Sequence, residues 1–268
     1  MNPFVFACIT PHGGEIIPEL TGANPDRMGV TRNSMYRLGE YMEQASPDTI
    51  IVLTPHGTRI NGQFSISNSE NMIGTVEENN ASFSLSRVVD RTLANEIEKQ
   101  AKDLDLPVGS INYGTSAGPI SSLPLDWGVI VPLRFMPNVP VVVITPSRDI
   151  GFEEHLQFGK ALRNAVNQSN KRVALIASCD WAHAHDPSGP YGYHPAAKEL
   201  DNQVVTLLKQ NQIEDMMRFE SEFIDNAKPD GIWQALILAG AINSDERNSE
   251  FLSYEAPTYF GLICAAYR

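Results

Sequence analysis

The 268-residue chain has only three cysteines, Cys8, Cys179 and Cys264, widely spaced and without a C-x-x-C pair. An odd number at that spacing argues against a disulfide framework or a zinc ribbon. Cys8 and Cys264 lie in apolar runs and are expected in the core. Positive charge is scarce too: 20 Lys and Arg face 32 Asp and Glu, a formal net charge of -12. Binding phosphates requires a basic footprint, so the balance argues against nucleic-acid partners and anionic membranes. No apolar run approaches the ~20 residues a membrane span needs. The opening Met-Asn-Pro-Phe-Val-Phe-Ala lacks the basic region of a secretory signal. The expectation is a cytoplasmic protein kept reduced. Long linkers, low-complexity tracts and solenoid periods are also missing, which favours one domain over residues 1–268.

Short apolar runs bounded by Pro, Gly and Ser are present and read as buried strands. The clearest are Phe4–Ile9, Thr49–Leu53, Val139–Ile144 and Val173–Ala177. Helical patterns alternate with them: Asn33–Glu43, Ser84–Asp103 opening at Ser84, Glu153–Asn167, Ala196–Gln210 and Ile232–Ile242. Phe64–Thr75 alternates weakly and is expected to be a small inserted hairpin; Phe251–Tyr267 reads as two strands around Ala256–Pro257. The predicted class is α/β, with a central mostly parallel sheet flanked by helices.

A tripeptide recurs at the strand ends. Thr10-Pro11-His12 follows the first strand, Thr54-Pro55-His56 the second and Thr145-Pro146-Ser147 the third; the fourth runs into Cys179-Asp180-Trp181-Ala182-His183. Ligands of open α/β sheets bind outside the carboxyl ends of the strands. Four strand ends therefore deliver His12, His56, Ser147 and His183 to one side. Proline fixes the path of the chain into each His, and the glycine after it lets backbone pass close to a ligand. Of six histidines, only His155 falls in a helical, expectedly exposed position.

Two imidazoles and one carboxylate with open positions is the arrangement of non-haem Fe(II) oxygenases. Spacing alone leaves the carboxylate open among Glu15, Asp180, Asp186 and Asp230; the last is equally readable as a helix-terminal charge. Cys179–Pro195 is long for a loop in a compact domain, which favours function. His183 in it is placed to serve as acid or base. Trp181, Tyr191 and Tyr193 could wall a flat pocket, or simply pack the loop. A competing motif is Gly114-Thr115-Ser116-Ala117-Gly118, a G-x-S-x-G match followed by Asp180 and His183 in α/β-hydrolase order. The poor strand before it and Pro119 and Pro124 after it weigh against a Ser116 nucleophile.

Taken in order, several segments resemble the class III extradiol dioxygenase superfamily, the LigB-like fold, whose relatives include the Memo-like proteins. They are Thr10–Gly14, Thr54–Gly57, Leu125-Asp126-Trp127-Gly128 with Val131-Pro132-Leu133, Asp180–His183, and Gly192-Tyr193 with Glu199 and Asp201. Leu238–Ala241 and Tyr254 through Thr258 complete the set. The resemblance implies that His12 and His56 ligate Fe(II), with Zn or Mn as other divalent candidates, and that His183 is the catalytic acid/base. It implies a carboxylate ligand near the last helix, assigned to Asp230, with Glu222 as the fallback. Many relatives carry Glu there. The Leu-Asp-x-Gly motif often carries His where this chain has Trp127. The implied activity is extradiol cleavage of a catechol-like or aminophenol-like ring with dioxygen. The alternative is a Memo-like metal-binding protein that cleaves no ring. A homo-oligomer or a small partner subunit stays open.

Overall fold

The computed structural model describes residues 2–268. Its spine is four adjacent parallel strands: β1 (Phe4–Thr10), β9 (Val173–Ser178), β2 (Thr49–Leu53) and β8 (Val141–Thr145). Beyond β1 the sheet continues antiparallel through β11 (Leu262–Tyr267) and β10 (Ser249–Glu255). Beyond β8 it continues through antiparallel β3 (Phe64–Ser67) and then β6 (Val108–Ile111), parallel to β3.

Both faces of the spine are covered, which is why its strands read as unbroken apolar runs. Ile51 and Leu53 point to one side of β2, where they pack with α2 (Arg91–Asp103), α4 (Phe152–Gln168), α5 (Pro195–Lys209) and α7 (Ile232–Ala241). Ile50 and Val52 point to the other, against α1 (Gly29–Ala45) and α3 (Trp127–Leu133). A short helix, α6 (Ser221–Ala227), packs on α5 and precedes α7 in the chain.

Every residue of α7 is buried. It approaches α4 until backbones touch: a Cβ on Gly240 would stand 2.0 Å from the Leu156 carbonyl oxygen, and one on Gly159 would stand 2.2 Å from that of Ile237. Two side-chain-free positions thus let a wholly buried helix lie against its neighbour, and α7 in turn fixes where Asp230, just before it, can sit.

Three expectations are corrected. The inserted hairpin is not Phe64–Thr75: β3 belongs to the main sheet, and the hairpin is β4 (Asn71–Glu78) with β5 (Ala81–Val88), joined by β7 (Ser122–Pro124) into a separate three-stranded sheet. The second helix does not open at Ser84. Residues 81–88 alternate intermediate and exposed positions as a strand, and the helix starts after Asp90, whose side chain accepts from the Leu93 N–H. Val88 and Val89 match a helical period by coincidence, because they are β-branched and sit at a strand end. His155 is fully buried rather than exposed, edge-on to Phe64 with ring centroids 5.0 Å apart. Its Nδ1 donates to the Gly151 carbonyl at 2.7 Å, and desolvation lowers its pKa to about 4.

Candidate functional site

The ends of β1, β2 and β9 converge with the start of α7. His12 is 1% exposed, and its ring is oriented from behind: Ser178 Oγ lies 2.9 Å from Nδ1. The Ser178 hydroxyl donates its own hydrogen to the Gly128 carbonyl at 2.5 Å, so its oxygen is left to accept from His12 Nδ1–H. In the neutral imidazole, His12 Nε2 therefore faces the cluster with a free lone pair.

Nε2 of His12 stands 3.1 Å from Nε2 of His56. Asp230 Oδ2 stands 3.3 Å from each. With Nε2 of both rings deprotonated, two lone pairs and an anionic oxygen at these separations repel unless a positive charge joins them. Asp230 Oδ2 is buried without a hydrogen-bond partner. Its other oxygen, Oδ1, accepts from the Asp180 N–H at 2.9 Å. Close approach is again required here: a Cβ on Gly231 would lie 2.5 Å from Cys179 Cβ.

The electrostatics show the same demand for a cation. Desolvation opposes protonation of His12, but Asp180 and Asp230 outweigh it and raise its pKa to about 9. Burial alone would raise Asp230; the histidines around it hold it well below the usual carboxylate range. Asp180 is raised, chiefly by desolvation, and the nearby Asp230 charge adds to that. Asp180 Oδ1 accepts the His12 backbone N–H at 2.9 Å, and Oδ2 lies 3.4 Å from His12 Nε2. At metal–ligand distances of about 2.1 Å, atoms 3.1–3.3 Å apart subtend roughly 100°, so three of them can cap one face of an ion and leave the other open. His12, His56 and Asp230 are the group among the described residues whose donor atoms all fall within one metal's reach.

His183 borders this cluster, its Nε2 4.0 Å from Asp230 Oδ2. Nδ1 lies 2.9 Å from the Lys228 carbonyl, which can only accept, so Nδ1 carries the hydrogen and Nε2 presents a lone pair. The ring stacks on Phe260 at 5.5 Å and 17°, with Tyr191 edge-on at 5.7 Å. The loop carrying it is anchored by Asp201, which is fully buried. Asp201 accepts from the Ala182 N–H at 2.9 Å, from His185 Nε2 at 2.8 Å and from the Tyr254 hydroxyl at 2.9 Å. On the other rim Trp127 stacks on His56 at 4.2 Å and 25°, and 48% of it is exposed.

Other candidates fall away. Glu15 pairs with Arg27, Asp186 is half-buried and accepts from Ser188, and Glu222 is exposed on α6. Ser116 lies in an exposed turn, its carbonyl taken by Arg91, and no histidine is bonded to its hydroxyl. Trp181 is wholly buried and belongs to the core, so it walls no pocket; Tyr191 and Tyr193 are exposed. Ser147 is buried at the third strand end and accepts from the Gly62 N–H at 3.0 Å. Ser178, Phe260, Lys228 and the anchoring by Asp201 escaped the sequence reading, because each acts through a contact between distant segments. Asp201 alone left a trace, as part of the family-like pattern.

Residues 6–263 match the family described as the catalytic LigB subunit of aromatic ring-opening dioxygenase. Protein CA_C1420 of Clostridium acetobutylicum is 26% identical over 92% of this chain and 54% of its own length. The 2-aminophenol 1,6-dioxygenase beta subunit of a Pseudomonas species is 29% identical over 47% of this chain and 49% of its own length. The chain thus spans about half the length of these two curated relatives. The 3,4-dihydroxyphenylacetate 2,3-dioxygenase of Escherichia coli is 23% identical over 91% of both. The crystal structure of uncharacterized protein JW3007 from Escherichia coli K12 superposes with a TM-score of 0.63 at 16% identity, over 97% of this chain and 98% of that one, and so shares the fold.

Proposed function

The chain belongs to the family of catalytic LigB subunits of aromatic ring-opening dioxygenases, and on that footing we propose that it cleaves a catechol-like or aminophenol-like ring outside the diol, consuming dioxygen. The observation that carries this reading is the cluster of two imidazole Nε2 atoms and one orphaned carboxylate oxygen, mutually 3.1–3.3 Å apart. His12, His56 and Asp230 would hold Fe(II), which when bound would supply Lewis acidity and open coordination positions for ring-opening chemistry with dioxygen. The residues fit it: the lone pair of His12 is aimed by Ser178, and Asp230 Oδ2 has no other partner.

The protein's own contribution to the chemistry lies in protons and shape. His183 Nε2 accepts a proton from a ring hydroxyl as the substrate docks, because its Nδ1–H is committed to Lys228 and cannot compete. The proton so held is returned as the ring opens. Phe260 behind His183 and Trp127 over His56 form apolar walls that keep a flat ring in plane and limit water. Both atoms of dioxygen enter the product and the carbon–carbon bond beside the diol breaks. A partner subunit and a cytoplasmic setting belong to the same reading. One relative is itself described as a beta subunit, and all three thiols here are free and buried.

The test is to load purified protein anaerobically with Fe(II), admit air and follow a panel of catechols and 2-aminophenols for the yellow ring-opened product. Formation with oxygen uptake of one per ring supports the reading. Stoichiometric metal with no cleavage of any member supports the Memo-like alternative instead.

A further inference from the structure

The two sheets end in β10, β6, β5 and β7. Three of these edges are guarded. β10 breaks register between Phe251 and Ser253, carries Glu250 and Glu255 and packs on α1. β6 is four residues long; β7 is three and ends at Pro124. Bulges, charges, prolines and short length are the devices that keep an open edge from pairing with another chain. β5 has none of them. It runs eight residues in unbroken register with β4 and contains no proline. Its exposed residues, Ser82, Ser84, Ser86 and Val88, are all uncharged.

The backbone of this edge is open as well. The Val89 N–H donates to the Glu70 carbonyl at 2.9 Å, so those two form a hydrogen-bonded pair of the ladder. Such pairs alternate along antiparallel strands. Residues 81, 83, 85 and 87 therefore bond to β4, and the N–H and C=O groups of Ser82, Ser84 and Ser86 point away from it. Arg87 Nη1 donates to the Ser86 carbonyl at 2.9 Å, as that direction requires. Among the described residues, no backbone group of the fold pairs with the outward groups of these serines. We propose that β5 pairs with the β5 of a second copy of this chain, antiparallel and centred on Ser84, joining two three-stranded sheets into one across a twofold dimer.

The edge is complementary to itself. In this register Ser84 faces Ser84 and Ser82 faces Ser86, and each facing pair exchanges its backbone bonds, as a twofold interface demands. Two copies of net charge -12 repel over most of their surfaces, so a strip of neutral serines is where they can approach closely. The charges at the strip's ends select the direction. Glu77 and Glu78 lie at the turn end of the hairpin and enter no ion pair among the described residues. Arg87 and Arg91 lie at the other end and donate only to backbone carbonyls. Antiparallel pairing sets the acidic end of one copy beside the basic end of the other; parallel pairing would set like beside like. This inference concerns assembly alone and holds whatever chemistry the metal site performs.

Sedimentation velocity of the full chain over a range of concentrations is expected to show a species of twice 29.5 kDa as concentration rises. Ser84→Lys puts two ammonium groups on directly opposed residues and is expected to weaken the dimer roughly tenfold. Thr75→Lys, on the same exposed face but on β4, is expected to leave it intact. The register is read by cross-linking, because the native thiols are all buried. Ser84→Cys is expected to form a disulfide-linked dimer under mild oxidation, its mate standing about 5.5 Å away between Cα atoms. Ser86→Cys is expected not to, its mate lying about 13 Å farther along the strand. A chain that stays monomeric at every concentration overturns the proposal, even if a strand of some other protein proves to take the edge. So does a dimer indifferent to Ser84→Lys, or one that links through Ser86→Cys as readily as through Ser84→Cys.

Discussion

Ser178 sets the tautomer of His12. Its oxygen lies 2.9 Å from His12 Nδ1, and its own hydrogen goes to the Gly128 carbonyl 2.5 Å away. The neutral imidazole thus has one tautomer imposed on it, with Nε2 turned toward His56 and Asp230. Such outer contacts orient a ligand, fix its tautomer and raise its basicity.

Ser178→Ala is accordingly expected to weaken metal binding by about 10- to 100-fold. It leaves the His12 Nδ1–H buried without an acceptor, at a cost of about 1–3 kcal/mol. Competition with a chromophoric chelator measures the first effect and thermal unfolding of the metal-free protein the second. Unchanged metal affinity would remove Ser178 from the account.

His12→Ala and His56→Ala are expected to abolish stoichiometric metal binding, and Asp230→Ala to do the same or leave only weak, readily exchanged ion. His183→Ala should keep a full complement of metal and lose at least 100-fold in turnover, the usual reach of a positioned acid/base. Metal analysis after dialysis, beside oxygen uptake, separates the two classes. A His12 variant with full metal content would sink the assignment.

Asp201→Asn replaces an acceptor of three hydrogen bonds with an amide that must turn its NH2 toward donors. Stability should fall by about 2–4 kcal/mol. Because Asp201 holds Ala182, the neighbour of His183, turnover should fall while metal content does not. A chemical denaturation curve and metal analysis on the same sample check both, and loss of metal together with activity would mean that the loop and the cluster are not separable.

His155 gives the fold an acid-side weakness away from the metal cluster. Its pKa falls from 6.5 to about 4 because the ring is desolvated. The native state therefore binds fewer protons than the unfolded chain between those values, and stability present in full above pH 6.5 is lost as pH falls toward 4. That gap amounts to roughly 3 kcal/mol at most. His155→Asn can keep the bond to the Gly151 carbonyl, and its unfolding free energy should show a shallower slope over this range. An identical slope in the two proteins would place the titration elsewhere.

Much of the architecture was legible because burial on both faces leaves unbroken apolar runs, as in Thr49–Leu53 and Val173–Ser178. The site direction was legible because Thr-Pro-His recurs past two such runs, and carboxyl ends of parallel strands meet on one side. Ser84–Val88 misled because five residues satisfy a helical and an extended period alike. Local pattern cannot choose between them without the partner strand β4.

What the chain alone determined is therefore the α/β class, the strand ends and the identity of the histidines offered there. Only the tertiary structure decided which carboxylate joins them, since Asp230 is 174 residues from His56 and reaches it because α7 packs backbone to backbone on α4. It also decided that Trp181 faces the core while Trp127 faces the site. A hydrogen-bond partner, a counter-charge or its absence is a property of what lies across space. Residue order constrains such pairings only through the fold it produces.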